Sequence, residues 1–199
     1  MTTATDIVLL KNSVIALLRS HAVQRIQFVA ESVKINHQLY SEMARLVEAG
    51  RIQIDVDPRL ADEKVGGRYH ATANPRSLTL WTAQLATSRD KGIVVHELTH
   101  AALDSLALTQ RRGLHVTENE SIAFIASQVY LRHVHGRALP SNSPRPFLVA
   151  DAIASKIVAA GPHLYYLTQE DIRSIRNAIG QHPHYRKIRG HVYTSGGIP

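Results

Sequence analysis

The hydrophobic positions of this chain change period several times, and each change marks an element. From Asp6 to about Leu18, and again from about Val23 to Ala49, apolar residues recur every three or four positions, as in Leu10, Val14, Leu17, then Met43, Leu46 and Val47. That spacing predicts two helices, the second stopped by Gly50. In RIQIDVD the period falls to two, with Ile52, Ile54 and Val56 alternating with polar residues until Pro58, the pattern of a half-buried strand. Two more extended segments are predicted at Arg68–Ala73 and Ser77–Trp81, separated by the turn formers Asn74 and Pro75.

Helical spacing then returns. A helix capped by Ser88 or Asp90 is expected to run to about Leu108, with Gln110–Gly113 as a polar connection. A second should run from near Thr117 to His135, stopped by Gly136 and followed by a loop holding Pro140, Pro144 and Pro146. Two further helices fit Phe147–Ala160 and Thr168–Ile179, and the last twenty residues are basic and aperiodic. The expected fold is therefore α+β: one domain, mostly helical, with a small sheet ahead of the central helix. Its parts are a helical 1–50, a 51–136 unit of sheet and two helices, and a helical 137–199 with a basic tail.

Composition narrows the chemistry. The 199 residues are 44% hydrophobic and 20% charged, which suits one domain with its own core. No apolar run reaches the 18 or so residues of a membrane span. Lys11, Arg19 and His21 interrupt the first hydrophobic segment, so no signal peptide is expected. A cytoplasmic site is the default expectation, and delivery as a toxin or effector without a signal peptide stays open. Cysteine is absent, so any metal must be held by His, Asp or Glu.

The chemistry concentrates in GIVVHELTHAALD, residues 92–104. On a helix, His96 and His100 lie about 40° apart and one turn along, so both imidazoles address one point. Glu97 beside them can reach a water there without taking a coordination position, which is the logic of HExxH. With this chain's His and Glu frequencies, that pattern arises by chance in about 3% of shuffled sequences. A zinc ion suits such ligands and in catalytic sites takes three from the protein, leaving one position open. The third ligand is expected from VTENESIAF, residues 116–124, where Glu120 and Glu118 are the candidates. Against Glu120 stands the capping-box spacing Thr117 to Glu120, in which the carboxylate would only satisfy the helix's first amide.

HELTHAALD followed by NESIA resembles the active-site segment of the thermolysin-like gluzincins, over residues 94–123 and not beyond. That resemblance implies a zincin-like metallopeptidase core with Zn²⁺ held by His96, His100 and Glu120, and Glu97 as general base. It places Asp104 in a supporting or structural role and matches Asn119 to the Asn that precedes the ligand Glu. One departure matters: where that group has an Asp to orient the first His, this chain has Phe124, and losing such a carboxylate typically costs 10–100-fold in affinity or activity.

Hydrolysis of a peptide or protein substrate also calls for a donor to the oxyanion. His163, Tyr165, Tyr166, His184, Tyr185, His191 and Tyr193 are candidates, with the tail group 184–193 first. The 68–81 segment is the expected edge on which a peptide could add a strand. Two other readings compete. The net charge of +7, RHVHGR at 132–137 and the tail HPHYRKIRGHVY fit a nucleic-acid partner. A zinc site without catalysis, with Glu97 idle, is the other. Oligomeric state leaves no signature in the sequence.

Overall fold

The computed structural model describes residues 2–63, 66–110, 114–186 and 192–193, apart from the side chains of 108–110, 184, 186 and 192–193. The chain is a mixed α+β protein, mainly helical with small sheets, in one small domain. Helix α1 (Ala4–Leu18) opens on a capping box between Thr3 and Asp6. The short α2 (His21–Gln24) follows, and then the chain departs from the expected single helix over 23–49. It forms a hairpin of β1 (Phe28–Ala30) and β2 (Val33–Ile35) before α3 (His37–Glu48).

The reason lies in FVAESVKI, where Phe28, Ala30, Val33 and Ile35 are buried and Val29 and Lys34 point the other way. That is a period of two, and Glu31 at φ 54 turns the hairpin. Val29 and Val33, four apart, also fit a helical stripe, so the two templates overlapped there. Gly50, at φ 71, ends α3 as expected.

Strand β3 (Ile52–Val56) leads through a 3₁₀ turn at Pro58–Ala61 to β4 (Gly67–His70) and β5 (Arg76–Leu80). In this sheet β5 is central, parallel to β3 and antiparallel to β4, so β4 is an edge. The long helix α4 (Ser88–Gln110) begins on a reciprocal cap that neither Ser88 nor Asp90 makes alone. Asp90 N–H is donated to Thr87 Oγ1, while the Thr87 amide and hydroxyl both donate to Asp90 Oδ2, at 2.9 and 2.7 Å.

After β6 (Leu114–His115) comes α5 (Val116–His135), closed by Gly136 at φ 66. Then follow α6 (Arg145–Ala159), β7 (Tyr165–Tyr166), α7 (Gln169–Gln181), α8 (Pro183–Arg186) and β8 (Val192–Tyr193). Strand β7 runs parallel to β1 and completes the sheet β2–β1–β7, while β8 pairs with β6. The tail expected to be aperiodic thus contains a helical turn and a short strand.

α4 is the axis of the molecule. Val94, Val95, Leu98, Ala101 and Ala102 on one face are buried in the core, and Tyr40 of α3 is tied to Thr99 by a buried hydroxyl–hydroxyl hydrogen bond of 2.9 Å. Its other face is left for chemistry. α5 packs against α4 in the opposite direction, since Gly92 lies beside Leu131 and His100 beside Asn119. α6 then braces α5 through the half-buried pair Arg132–Asp151, in which Nε and Nη2 donate to the two carboxylate oxygens at 2.6 and 2.7 Å.

The cap of α7 offers a stability test. Asp171 is buried, and it accepts from the Thr168 amide at 3.1 Å, the Thr168 hydroxyl at 2.9 Å and Lys156 Nζ at 2.7 Å. Burial alone would raise its pKa, but Lys156 and the Thr168 donors outweigh it and hold the carboxyl below its ordinary value. A depressed folded pKa gives stability that is complete above the unfolded carboxyl pKa near 4 and lost as pH falls through the folded value. Asp171→Ala should cost about 1–2 kcal/mol at pH 7, and the gap to wild type should narrow in denaturant melts below about pH 4. A gap independent of pH would refute the role given to the charge.

Candidate metal centre

One helical stripe of α4 and one of α5 form the floor of the same cleft. On α4 it runs Arg89, Gly92, Ile93, His96, Glu97, His100, Leu103, Asp104, and on α5 Asn119, Glu120, Phe124, Ser127, Gln128 and Leu131. The cleft is about 1290 Å³, walled by β4 on one side and by the 137–147 segment, His182 and Tyr185 on the other.

At its centre His96, His100 and Glu120 bring one donor atom each within 4.8 Å of one another. His96 Nε2 and His100 Nε2 are 3.1 Å apart, His96 Nε2 is 3.3 Å from Glu120 Oε2, and His100 Nε2 is 3.6 Å from Glu120 Oε1. Ligands held about 2.0–2.1 Å from one ion at tetrahedral angles stand about 3.3 Å apart, so these separations fit a divalent cation. The donor chemistry agrees. Asn119 Oδ1 can only accept, so the hydrogen bond from His100 Nδ1 places that ring's remaining lone pair on Nε2, facing the other two ligands. Glu120 Oε2 is buried and receives no hydrogen bond of its own among the described residues. Three electron-rich groups converge there, and a shared cation resolves their repulsion.

By position Glu120, and not Glu118, completes the group that could hold a metal ion. It does not cap α5: His115 occupies the N-cap, without a side-chain cap bond. Glu118 points elsewhere, with Oε2 3.6 Å from Arg176 on α7. Burial would raise the Glu120 pKa, but His100, His96 and a hydrogen bond with Tyr185 pull harder, so the carboxyl stays below its usual range and is held as the anion.

Glu97 stands one residue outside this trio, and its Oε2 accepts the backbone N–H of Tyr69 at 2.9 Å. The contact depends on β4 lying tightly on α4. A Cβ at Gly67 would meet Ile93 Cγ2 at 2.9 Å and Glu97 Cγ at 3.3 Å, and one at Gly66 would collide with Ile93 Cδ1. Glycine removes that obstacle. Burial, reinforced by Glu120 and opposed by His100 and the Tyr69 amide, pushes the Glu97 carboxyl up to about 7.

Asp104 accepts from Tyr69 Oη at 3.3 Å and pairs with Arg76 Nη2 at 3.3 Å, clamping β4 and β5 to α4. Of the two roles expected of it, supporting or structural, the contacts of this aspartate fit the structural one, on the strand that holds Glu97. At position 124 the phenylalanine ring packs edge-on against His96 with centroids 4.9 Å apart, and Phe147 packs edge-on against Phe124 at 4.9 Å. Among the described residues His96 Nδ1 has no hydrogen-bonded orienting group, so packing against Phe124 does that work and Asn119 serves His100.

Of the oxyanion candidates, Tyr185 lines the cleft. Tyr165 bonds to Asp171 instead, at 3.4 Å, and His163 and Tyr166 are exposed away from the cleft. His191 and the side chains of His184 and Tyr193 lie outside the described residues. His182 and the Tyr69 amide are cleft groups that sequence reasoning missed, and a backbone N–H leaves no signal in residue type. Arg132, part of the basic run 132–137, is occupied by Asp151 and is withdrawn from any phosphate. No helix is long and apolar enough to cross a membrane among the described residues.

No family model matches the chain, and searches of curated proteins and of solved structures returned no match.

Added zinc should raise the thermal midpoint of the wild type, by an amount equivalent to about 4 kcal/mol at 1,000 times the dissociation constant. His100→Ala should show almost none of that gain, and Asn119→Ala should bind zinc about 10–100-fold more weakly. An equal zinc response in all three proteins, followed by scanning calorimetry, would dispose of the site.

Proposed function

We propose that the chain is a zinc-dependent metallopeptidase of the zincin type. The observation that carries this reading is the convergence of His96, His100 and Glu120 in an open cleft with the Glu97 carboxylate alongside. Three protein ligands leave a fourth position for solvent, the arrangement of catalytic rather than structural zinc sites. The HELTHAALD and NESIA resemblance points the same way.

Zinc held there would supply a Lewis acid for a substrate carbonyl and a water whose pKa falls toward about 7. The chain's own groups account for the remainder. Tyr69 N–H fixes Glu97 Oε2 and leaves Oε1 to take a proton. A carboxyl poised at about 7 can both accept that proton and return it to the leaving amine. Tyr185, whose phenol is hydrogen-bonded to Glu120 in this structure, would turn its one O–H to the carbonyl oxygen to steady the negative charge developing there. The edge strand β4, with its Tyr69 N–H already donated to Glu97, would offer its remaining outward backbone groups to an extended peptide. Phe124, Phe147 and Leu131 give one side of the cleft an apolar wall.

The reading is tested by comparing wild type with Glu97→Gln on a mixed peptide library, with metal content measured in both. The variant should keep about one zinc per chain and lose turnover by 10³-fold or more. Equal turnover would remove Glu97 as base, and zinc bound without hydrolysis by either protein would leave a structural metal. Tyr185→Phe should retain zinc and lower kcat by about 10²-fold with little change in KM; an unchanged kcat would transfer the donor role to another residue.

A further inference from the structure

The charges around the cleft are unevenly spent. Its acidic groups outside the metal centre are all engaged: Glu63 with Arg68 at 3.2 Å, Asp104 with Arg76 at 3.3 Å, and Asp151 with Arg132 at 2.6 Å. Two lining cations have no carboxylate partner among the described residues, the exposed Arg89 and Arg137. Both sit at the same end. Arg89 is in the first turn of α4 and Arg137 just beyond the last turn of α5, and the contact of Gly92 with Leu131 joins those helix ends.

The backbone under each arginine is fixed. Asp90 is buried and spent on the Thr87 cap, so it anchors the turn that carries Arg89 without neutralising it. Arg137 lies between Gly136, in the left-handed conformation at φ 66, and Leu139, whose N–H is donated to Asp151 Oδ2 at 3.1 Å. His135 lines the same end and adds no negative charge. The start of α4 contributes the partial positive charge of its helix dipole.

We infer that the cleft selects peptides with an acidic side chain about three residues from the bond held at the metal centre, received by Arg89 and Arg137. The distance follows from the helix. Arg89 precedes His96 by seven residues, two turns, on the same face, so the cationic end lies about 10 Å from the centre, and an extended peptide covers that in about three residues. The substrate class rests on the peptidase reading, while the binding preference can be measured without it.

The test uses zinc-loaded protein and two fluorescent decapeptides that share a central phenylalanine and carry glutamate or lysine three residues to each side. Anisotropy at low salt should show the acidic peptide binding about tenfold tighter, as two ion pairs at a rim provide. The preference should vanish in R89E/R137E, whose thermal midpoint should match wild type because both side chains are exposed. Equal affinities, or a preference unaltered in the double variant, overturn the inference. So does a single-stranded DNA 20-mer that displaces the acidic peptide at lower concentration than the peptide itself, since that marks a nucleic-acid groove. Following the same peptides for hydrolysis separates the two ideas: selective binding without cleavage overturns the peptidase reading alone, and cleavage without selectivity overturns the inference alone.

Discussion

Two imidazole nitrogens 3.1 Å apart, each facing one buried carboxylate, are the constraint on which the remaining structure turns. In a low-dielectric site such a group of acceptors is unfavourable unless a cation is shared among them. Much of the architecture serves to impose this proximity. α4 is anchored through its back face in the core and by Tyr40. α5 is held against it by packing and by the Arg132–Asp151 pair to α6. The three side chains therefore converge because two helices are fixed in register. A single mobile loop could not hold three donor atoms within a few tenths of an ångström.

The carboxylate proposed as general base is positioned by a different element. Glu97 is addressed by the edge strand β4, which approaches α4 closely because residues 66 and 67 are glycines and because Asp104 draws in Tyr69 and Arg76. One small sheet thus orients the carboxylate and leaves β4 as an edge beside it. Asp104, although on the helix that carries both histidines, accordingly makes its contacts with the sheet.

Much of this was legible in the sequence, for identifiable reasons. The strand at Ile52–Val56, the two strands flanking Pro75, α5 with its Gly136 stop, and the Thr168 cap each carried a period or a turn residue strong enough to mark them. His96, His100 and Glu97 were fixed by spacing along one helix. Glu120 was harder, because Thr117 and Glu120 also spell a capping box, and only the pairing of α4 with α5 brings its carboxylate beside the two histidines. The β1–β2 hairpin was hidden because Val29 and Val33 fit a helical stripe as well as an alternating one. The support for Glu97 was out of reach altogether, since it comes from a backbone amide and from glycines whose value lies in the neighbour they admit.

One metal ion is expected where these side chains meet. Anomalous diffraction from crystals of the purified protein, measured on both sides of the zinc absorption edge, tests it most directly. The account predicts a single strong peak about 2.0–2.1 Å from His96 Nε2 and His100 Nε2 and in contact with the Glu120 carboxylate. No peak after zinc soaking, or one bound by other residues while these three stand apart, would contradict it.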